Sequence, residues 1–321
     1  YWTPAQGRGD QVGGAGDALR FCSPPGVLTM LYDIRLKLDY AYDAPVSGGR
    51  HLVRVFPANL PGIQRVVAAS LTVDPQPAER SEFTDFFGTR VGSLAYRSAH
   101  EAHDIAIAAR VEVLRGDPGI DFTPTLETLH AEIAGNWDMG SLSPHHFLSP
   151  SPRIAIEPAI TAYARSSVKQ AISVRELAHH LGLRIHADFA YDGEATLVDT
   201  PVTEAFALRR GVCQDFAHIM IAGLRGLGVP AGYVSGFLRT IPPEGEERLE
   251  GADAMHAWVK VWCGRETGWV EFDPTNAIFA GQDHTVIGYG RDYSDVTPIV
   301  GMLRSAGGQE TTQAVDVLEV G

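Results

Sequence analysis

The sequence predicts an α+β protein, an N-terminal antiparallel β-sandwich followed by a unit in which helices pack on an antiparallel sheet. Short alternating runs split by turn residues fill the first third of the chain. Further on, a helical apolar run begins at Cys213, two residues after Gly211. Two alternating runs, His256–Cys263 and Gly268–Asp273, then flank the polar turn Gly264-Arg-Glu-Thr-Gly268 and read as a hairpin. A chain of 321 residues has room for two cores.

Taken in order, residues 1–29 are Gly-rich and aperiodic and lack the apolar stretch of a secretory signal. The first periodic segment follows Met30, so Met30 is expected to be the natural start and the preceding leader to be a disordered extension. Residues 30–115 form the expected sandwich. Tyr32, Ile34, Leu36, Leu38 and Tyr40 alternate with Asp33, Arg35, Lys37 and Asp39, and a second strand covers Leu52–Phe56. Val66–Val73, Arg90–Tyr96 and Ile105–Leu114 supply further strands, with a strand end and turn at Phe83–Gly88. No chemistry is visible in this domain.

A proline-punctuated connector, 116–155, holds one short helix near Leu126–Ile133. Its His145-His146 pair has no further ligands in sight and makes a poor metal site. The second unit is expected over 156–300, with a C-terminal tail at 301–321. Helices are predicted at Pro158–Arg165 and at Ser173–Leu181, where Ser173 and Glu176 have capping-box spacing. Arg184–Tyr191 is read as a further helical or extended stretch, and a short helix delivers the chain to Gly211. Val229–Thr240 is a strand, and Ile241–Asp253 an exposed acidic loop returning the chain to His256.

The Cys213 helix is closed by Leu227-Gly-Val-Pro230, where Gly226-x-Gly228 is a helix stop rather than a phosphate loop. At a helix start the dipole and free N–H groups favour a thiolate. A two-residue hairpin loop places His256 opposite Asp273, and longer loops move its opposite number to Pro274 or Thr275. In each register a His at a strand start lies beside an Asp at its neighbour's end. That yields a nucleophile, a base and an orienter. Asp215 suits the helix N-terminus, and His218, about 140° round the helix from Cys213, faces elsewhere. Cys263 reads as core and Cys22 carries no argument.

The segments Gly-Val-Cys-Gln-Asp-Phe-Ala-His, Met-His-Ala-Trp-Val and Trp-Val-Glu-Phe-Asp-Pro-Thr-Asn resemble the bacterial transglutaminase-like family in that family's order. The first third resembles the β-rich domain that often precedes its core. The resemblance implies a papain-like fold in which Cys213 is the nucleophile, His256 the general base and acid, and Asp273 the residue orienting the imidazole. It implies thioester chemistry on a peptide or protein amide, as a cysteine peptidase or amide hydrolase, with protein crosslinking by amine transfer as the alternative. The Cys213 N–H and Tyr191 are candidate oxyanion donors, and Gln214 is a candidate for the mouth of the site.

No metal or cofactor is required by that chemistry, and no EF-hand-type loop is seen. A net charge of −13 and the lack of a basic run argue against nucleic acid or an anionic membrane as partner. No apolar stretch reaches the roughly 18 residues of a membrane helix. Three cysteines with no framework spacing suit a cytoplasmic location. Two competing readings are a peptide-binding module without catalysis and an acyl-CoA-dependent acyltransferase. The first is disfavoured by the intact triad, the second by the acidic residues 244–247.

Overall fold

The computed structural model describes residues 29–116, 118–241, 251, 253–304 and 307–320. Residues 1–28 of the expected leader and 242–250 of the expected acidic loop lie outside them.

The chain enters as β1 (Met30–Val53), followed by β2 (Gln64–Asp74), β3 (Glu79–Thr84), β4 (Arg90–Ala95) and β5 (His100–Val113). The expected sandwich takes the form of one antiparallel sheet bent along β1, in the order β2-β5-β1-β4-β3. Tyr32, Ile34, Leu36 and Leu38 point inward and are at most 3% exposed, as their alternation requires. Strands expected at 32–40 and 52–56 are a single strand. Its first half pairs with β5, and the register shifts between Ala41 and Val46 before residues 50–53 pair with β4. Pro45, Gly48 and Gly49 sit in this irregular middle of the strand, which continues through them.

The second layer begins inside the expected connector. There α1 (Leu126–Ala134) buries Leu129 and Ile133 in the helical core. Next come α2 (Pro158–Arg165) and α3 (Val174–Asp188). Ser173 caps α3, its hydroxyl accepting from the Glu176 N–H at 3.1 Å. The two segments expected at 173–181 and 184–191 are one helix, because Gly182 does not break an otherwise continuous apolar face. Then follow β6 (Ala190–Tyr191), α4 (Val202–Leu208), β7 (Arg210–Gly211) and α5 (Cys213–Gly226). The second sheet consists of β8 (Ala231–Leu238), β9 (Ala254–Trp262), β10 (Trp269–Asp273), β11 (Ile278–Phe279) and β12 (His284–Gly290), in the order β11-β10-β9-β8-β12. Phe216, Ala217, Ile219 and Met220 of α5 share a core with Ala257, Val259, Val261 and Phe272 of the sheet. Burying each larger side chain contributes about 1.5–3 kcal/mol.

After α6 (Tyr293–Val296) the chain returns to its beginning as β13 (Ile299–Arg304) and β14 (Gln309–Glu319). The expected tail is thus structural: β13 pairs with residues 47–53 of β1, and β14 with residues 32–42. Val315 and Val317 of β14 join the N-terminal core, along with Phe237 of β8 and Ile287 of β12. Gln64 locks the two sheets together. Its Nε2 donates to the Val286 carbonyl at 2.7 Å and its Oε1 accepts from the Val286 N–H at 2.8 Å, replacing a strand neighbour.

Gly182 lies against the Phe272 ring, and a Cβ there would sit 2.0 Å from Cε1. Alanine gains about 1 kcal/mol in helix propensity, but overpacking of a filled core costs about 1–3 kcal/mol. The clash wins, so Gly182→Ala should lower Tm in a calorimetric scan; an unchanged or raised Tm contradicts this packing.

Candidate active site

The hairpin of β9 and β10 sets the geometry. Trp262 lies opposite Trp269 and Val259 opposite Phe272, and the Cys263 N–H donates to the Gly268 carbonyl at 2.7 Å. Gly264-Arg-Glu-Thr267 is therefore the loop, and His256 is level with Thr275, the last of the three registers considered. Asp273 is its diagonal neighbour on the same face. A diagonal pair is roughly 7–8 Å apart at the backbone, a gap that a His and an Asp side chain can close. His256 Nε2 lies 2.7 Å from Asp273 Oδ2.

Asp273 is fully buried and heavily bonded. Oδ1 accepts from the N–H groups of Thr275 at 2.9 Å and Asn276 at 3.2 Å. Oδ2 accepts from His256, from Asn276 Nδ2 at 2.7 Å and from His284 Nε2 at 3.3 Å. Burial alone would raise its pKa, but the bonds from His256, His284 and Asn276 hold it well below the usual carboxylate range.

His256 answers in the opposite direction. Burial would lower it, but the hydrogen bonds and charges of Asp273 and Cys213 raise it to about 10. With Nε2 on Asp273, the nitrogen left for the Cys213 side is Nδ1. Trp258 lies nearly parallel to the His256 ring, with centroids 6.1 Å apart. Its Nε1 donates to Glu271 at 2.6 Å, which pins the indole.

Cys213 opens α5 as expected and is partly exposed. Its turn is built by Asp215, whose Oδ2 accepts from the Val212 N–H at 2.9 Å and the Thr196 hydroxyl at 2.6 Å. A Cβ at Gly211 would sit 2.4 Å from that oxygen, so the glycine two residues before the cysteine makes room for the carboxylate. Burial pushes Asp215 up, against these two bonds. Tyr191 is 63% exposed and pairs in parallel with Gly211, two residues before Cys213; desolvation and the charge of Cys213 raise its hydroxyl. Gln214 is buried, and its Nε2 donates to the Val198 carbonyl at 2.9 Å, fastening the 192–200 segment to α5. His218 is fully enclosed, accepts from the Tyr293 N–H at 3.3 Å and is pulled down by burial, a neutral packing residue. Cys263 is buried in the core. His145 and His146 bond to the carbonyls of Asn136 and Met139.

Three residues that sequence reasoning did not assign complete the cluster: His284, Asn276 and Trp258. Asn276 stands in the quoted Asp-Pro-Thr-Asn segment, and His284 begins β12, two strands from β9 through β8. Among the described residues, His256, Asp273 and His284 have donor atoms within 4.8 Å of one another, a tight group that does not include Cys213. The separation suits a cation, but the Gly281 N–H donates to His284 Nδ1 at 3.2 Å. That places the proton of a neutral His284 on Nε2, facing Asp273, where a metal ligand needs a lone pair. The cluster fits a hydrogen-bonded support better than a metal centre.

The family described as "Bacterial transglutaminase-like N-terminal region" matches residues 32–113, and "Transglutaminase-like superfamily" matches residues 161–274. An uncharacterized protein of Mycobacterium tuberculosis is 36% identical over 279 residues, 86% of this chain and 88% of its own length. A protein-glutamine gamma-glutamyltransferase of Pseudomonas aeruginosa is 37% identical over 96 residues, 29% of this chain and 14% of that protein. A Cytophaga hutchinsonii protein described as a candidate cysteine protease has the same fold, with a TM-score of 0.68 at 21% identity over 92% of each chain. Taken with the α+β architecture, these matches show that the chain belongs to the transglutaminase-like superfamily and carries its bacterial N-terminal region.

Proposed function

We propose that Cys213, His256 and Asp273 act as a triad for thiol-dependent cleavage of peptide or protein amides. The observation that carries this is the imidazole itself. His256 is held by a saturated carboxylate on Nε2, and the hydrogen bonds and charges of Asp273 and Cys213 raise it to about 10 against burial, so at neutral pH it is the protonated partner that a sulfur nucleophile needs.

The Cys213 sulfur attacks the amide carbon, and the carbonyl electrons move to oxygen. The Cys213 N–H at the head of α5, with no partner inside the helix, is the backbone group suited to that oxyanion. Tyr191, on the short strand paired with Gly211, is the candidate second donor. His256 gives its proton to the leaving nitrogen as the C–N bond breaks, and a thioester remains. His256, now neutral, takes a proton from water as it attacks, and the acid product and thiolate are released. A primary amine in place of water forms a new amide. The Pseudomonas relative's name favours that second reading, since it matches 96 residues of this chain at 37% identity. Mass analysis of the products from a glutamine peptide with and without added amine separates the two outcomes.

Iodoacetamide labelling across pH 4–9, read by mass spectrometry, tests the pair. Cys213 should label rapidly below the ordinary thiol value of about 8.5, and His256→Ala should remove that advantage. Slow labelling with one profile in both proteins sinks the thiolate reading and leaves a binding module.

The orienting role of Asp273 has its own readout. The folded His256 value lies above its ordinary 6.5, so the proton stabilises the folded state. That contribution is full below pH 6.5 and is lost as pH rises through about 10. An NMR titration should find His256 protonated through pH 8, and Asp273→Asn should lower its midpoint and cut amidase turnover roughly 10²–10⁴-fold. An unshifted midpoint in the variant removes Asp273 from the mechanism.

A further inference from the structure

A second group of polar side chains, distinct from Cys213, His256 and Asp273, lies where the N-terminal sheet meets the second sheet. A cavity of about 330 Å³ there is walled by Leu60, Pro61, Ile63, Phe87, Leu142 and Trp269, within the usual size of small-molecule sites. Lys260 and Thr89 also line it, and each is only 1% exposed.

Lys260 stands directly across the strands from Glu271, a placing in which opposite charges ordinarily pair. Here the carboxylate is already occupied. Glu271 Oε2 accepts from Arg115 Nη2 and Trp258 Nε1, both at 2.6 Å, and Oε1 accepts from the Tyr289 hydroxyl at 2.7 Å. The amine is left among three rings, with Nζ 4.1 Å from the centroid of Phe147, 4.3 Å from Trp269 and 4.4 Å from Tyr289. Rings attract a cation but accept no ordinary hydrogen bond, and Nζ has no hydrogen-bond partner. Thr89 Oγ1 has none either. Burial accordingly lowers the Lys260 amine to about 7, with Glu271 opposing. Two buried donors without acceptors thus border one apolar cavity, an arrangement native proteins rarely leave unexplained.

We propose that this cavity binds a small amphipathic carboxylate, whose oxygens accept from Lys260 Nζ and Thr89 Oγ1 while its hydrocarbon body lies on Leu60, Ile63 and Trp269. Arg115 already offsets Glu271, and an incoming carboxylate would favour the charged form of Lys260, so the balance suits an anion over an amine. The flexible Lys260 stem lets Nζ turn from its cage to the cavity wall when an acceptor arrives. The cavity lining includes none of Cys213, His256 and Asp273, and its test needs no turnover.

Titration calorimetry of the full chain with octanoate, and with octanamide as a neutral analogue of like size, tests the proposal. Octanoate should bind saturably, one to one, and octanamide about tenfold more weakly. Lys260→Met, which keeps the stem volume and removes the charge, should lose octanoate affinity by at least about tenfold, a difference of about 1.4 kcal/mol. Thr89→Val should weaken it as well, and it carries the comparison if circular dichroism shows that the lysine variant is unfolded. Failure of octanoate, hexanoate and phenylpropionate to bind wild type at millimolar concentration overturns the proposal. Equal affinity for octanoate and octanamide, or unchanged octanoate affinity in the folded variants, also overturns it.

Discussion

A carboxylate stripped of water has to be matched by donors, and the candidate site is arranged around that constraint at Asp273. Its five hydrogen bonds come from its own turn, from β9 and from β12, so a single side chain ties three parts of the second sheet together. A charge held this firmly is an anchor for an imidazole, because neither oxygen is free to move to water. The position of His256 is then fixed by the sheet rather than by a loop, the kind of support that precise side-chain placement requires. Cys213 belongs to a different layer. It is set by the turn that Gly211 and Asp215 build at the head of α5, and the α5 core against β9 brings the two layers together.

Much of this was legible because local chemistry and tertiary placement agreed. The Cys213 helix carried a glycine before it, an acidic residue in its first turn and apolar residues along most of its length, each readable without a partner. The hairpin was legible in kind but not in register. Its loop is Gly264–Thr267, so His256 meets Asp273 on the diagonal, and sequence alone left three loop lengths open. His284 was missed for a different reason. Its role arises from β12 lying beside β8, and strand order across a sheet leaves no periodic trace in the chain. The family resemblance, now supported by matches to both segments, pointed to Cys213, His256 and Asp273 as candidates but gave no indication of what holds Asp273.

The C-terminal strand shows how polarity conceals structure. Residues 309–319 run Gln-Glu-Thr-Thr-Gln-Ala-Val-Asp-Val-Leu-Glu, and only Val315 and Val317 are buried, so the segment read as a tail. Its stability comes from the ladder with β1 and from two valines reaching a core that others had built. Long-range pairing overrides a weak local signal in this way. The β9–β10 hairpin shows the same lesson at a pair of charges. Lys260 and Glu271 face each other in sequence register yet do not bond, because Arg115, from outside the hairpin, already holds the glutamate.

The return of β14 to β1 also bears on how the protein is made. On the ribosome, residues 32–42 emerge early and find β5 on one side, but their other edge waits for a partner some 270 residues later in synthesis. In that interval an open strand edge is exposed to neighbouring nascent chains. The residues facing solvent along it are Asp33, Arg35, Lys37 and Asp39, alternating with the buried Tyr32, Ile34, Leu36 and Leu38. Those charges do more than keep the finished surface polar. They guard an unfinished sheet against foreign strands until the chain's own last strand arrives.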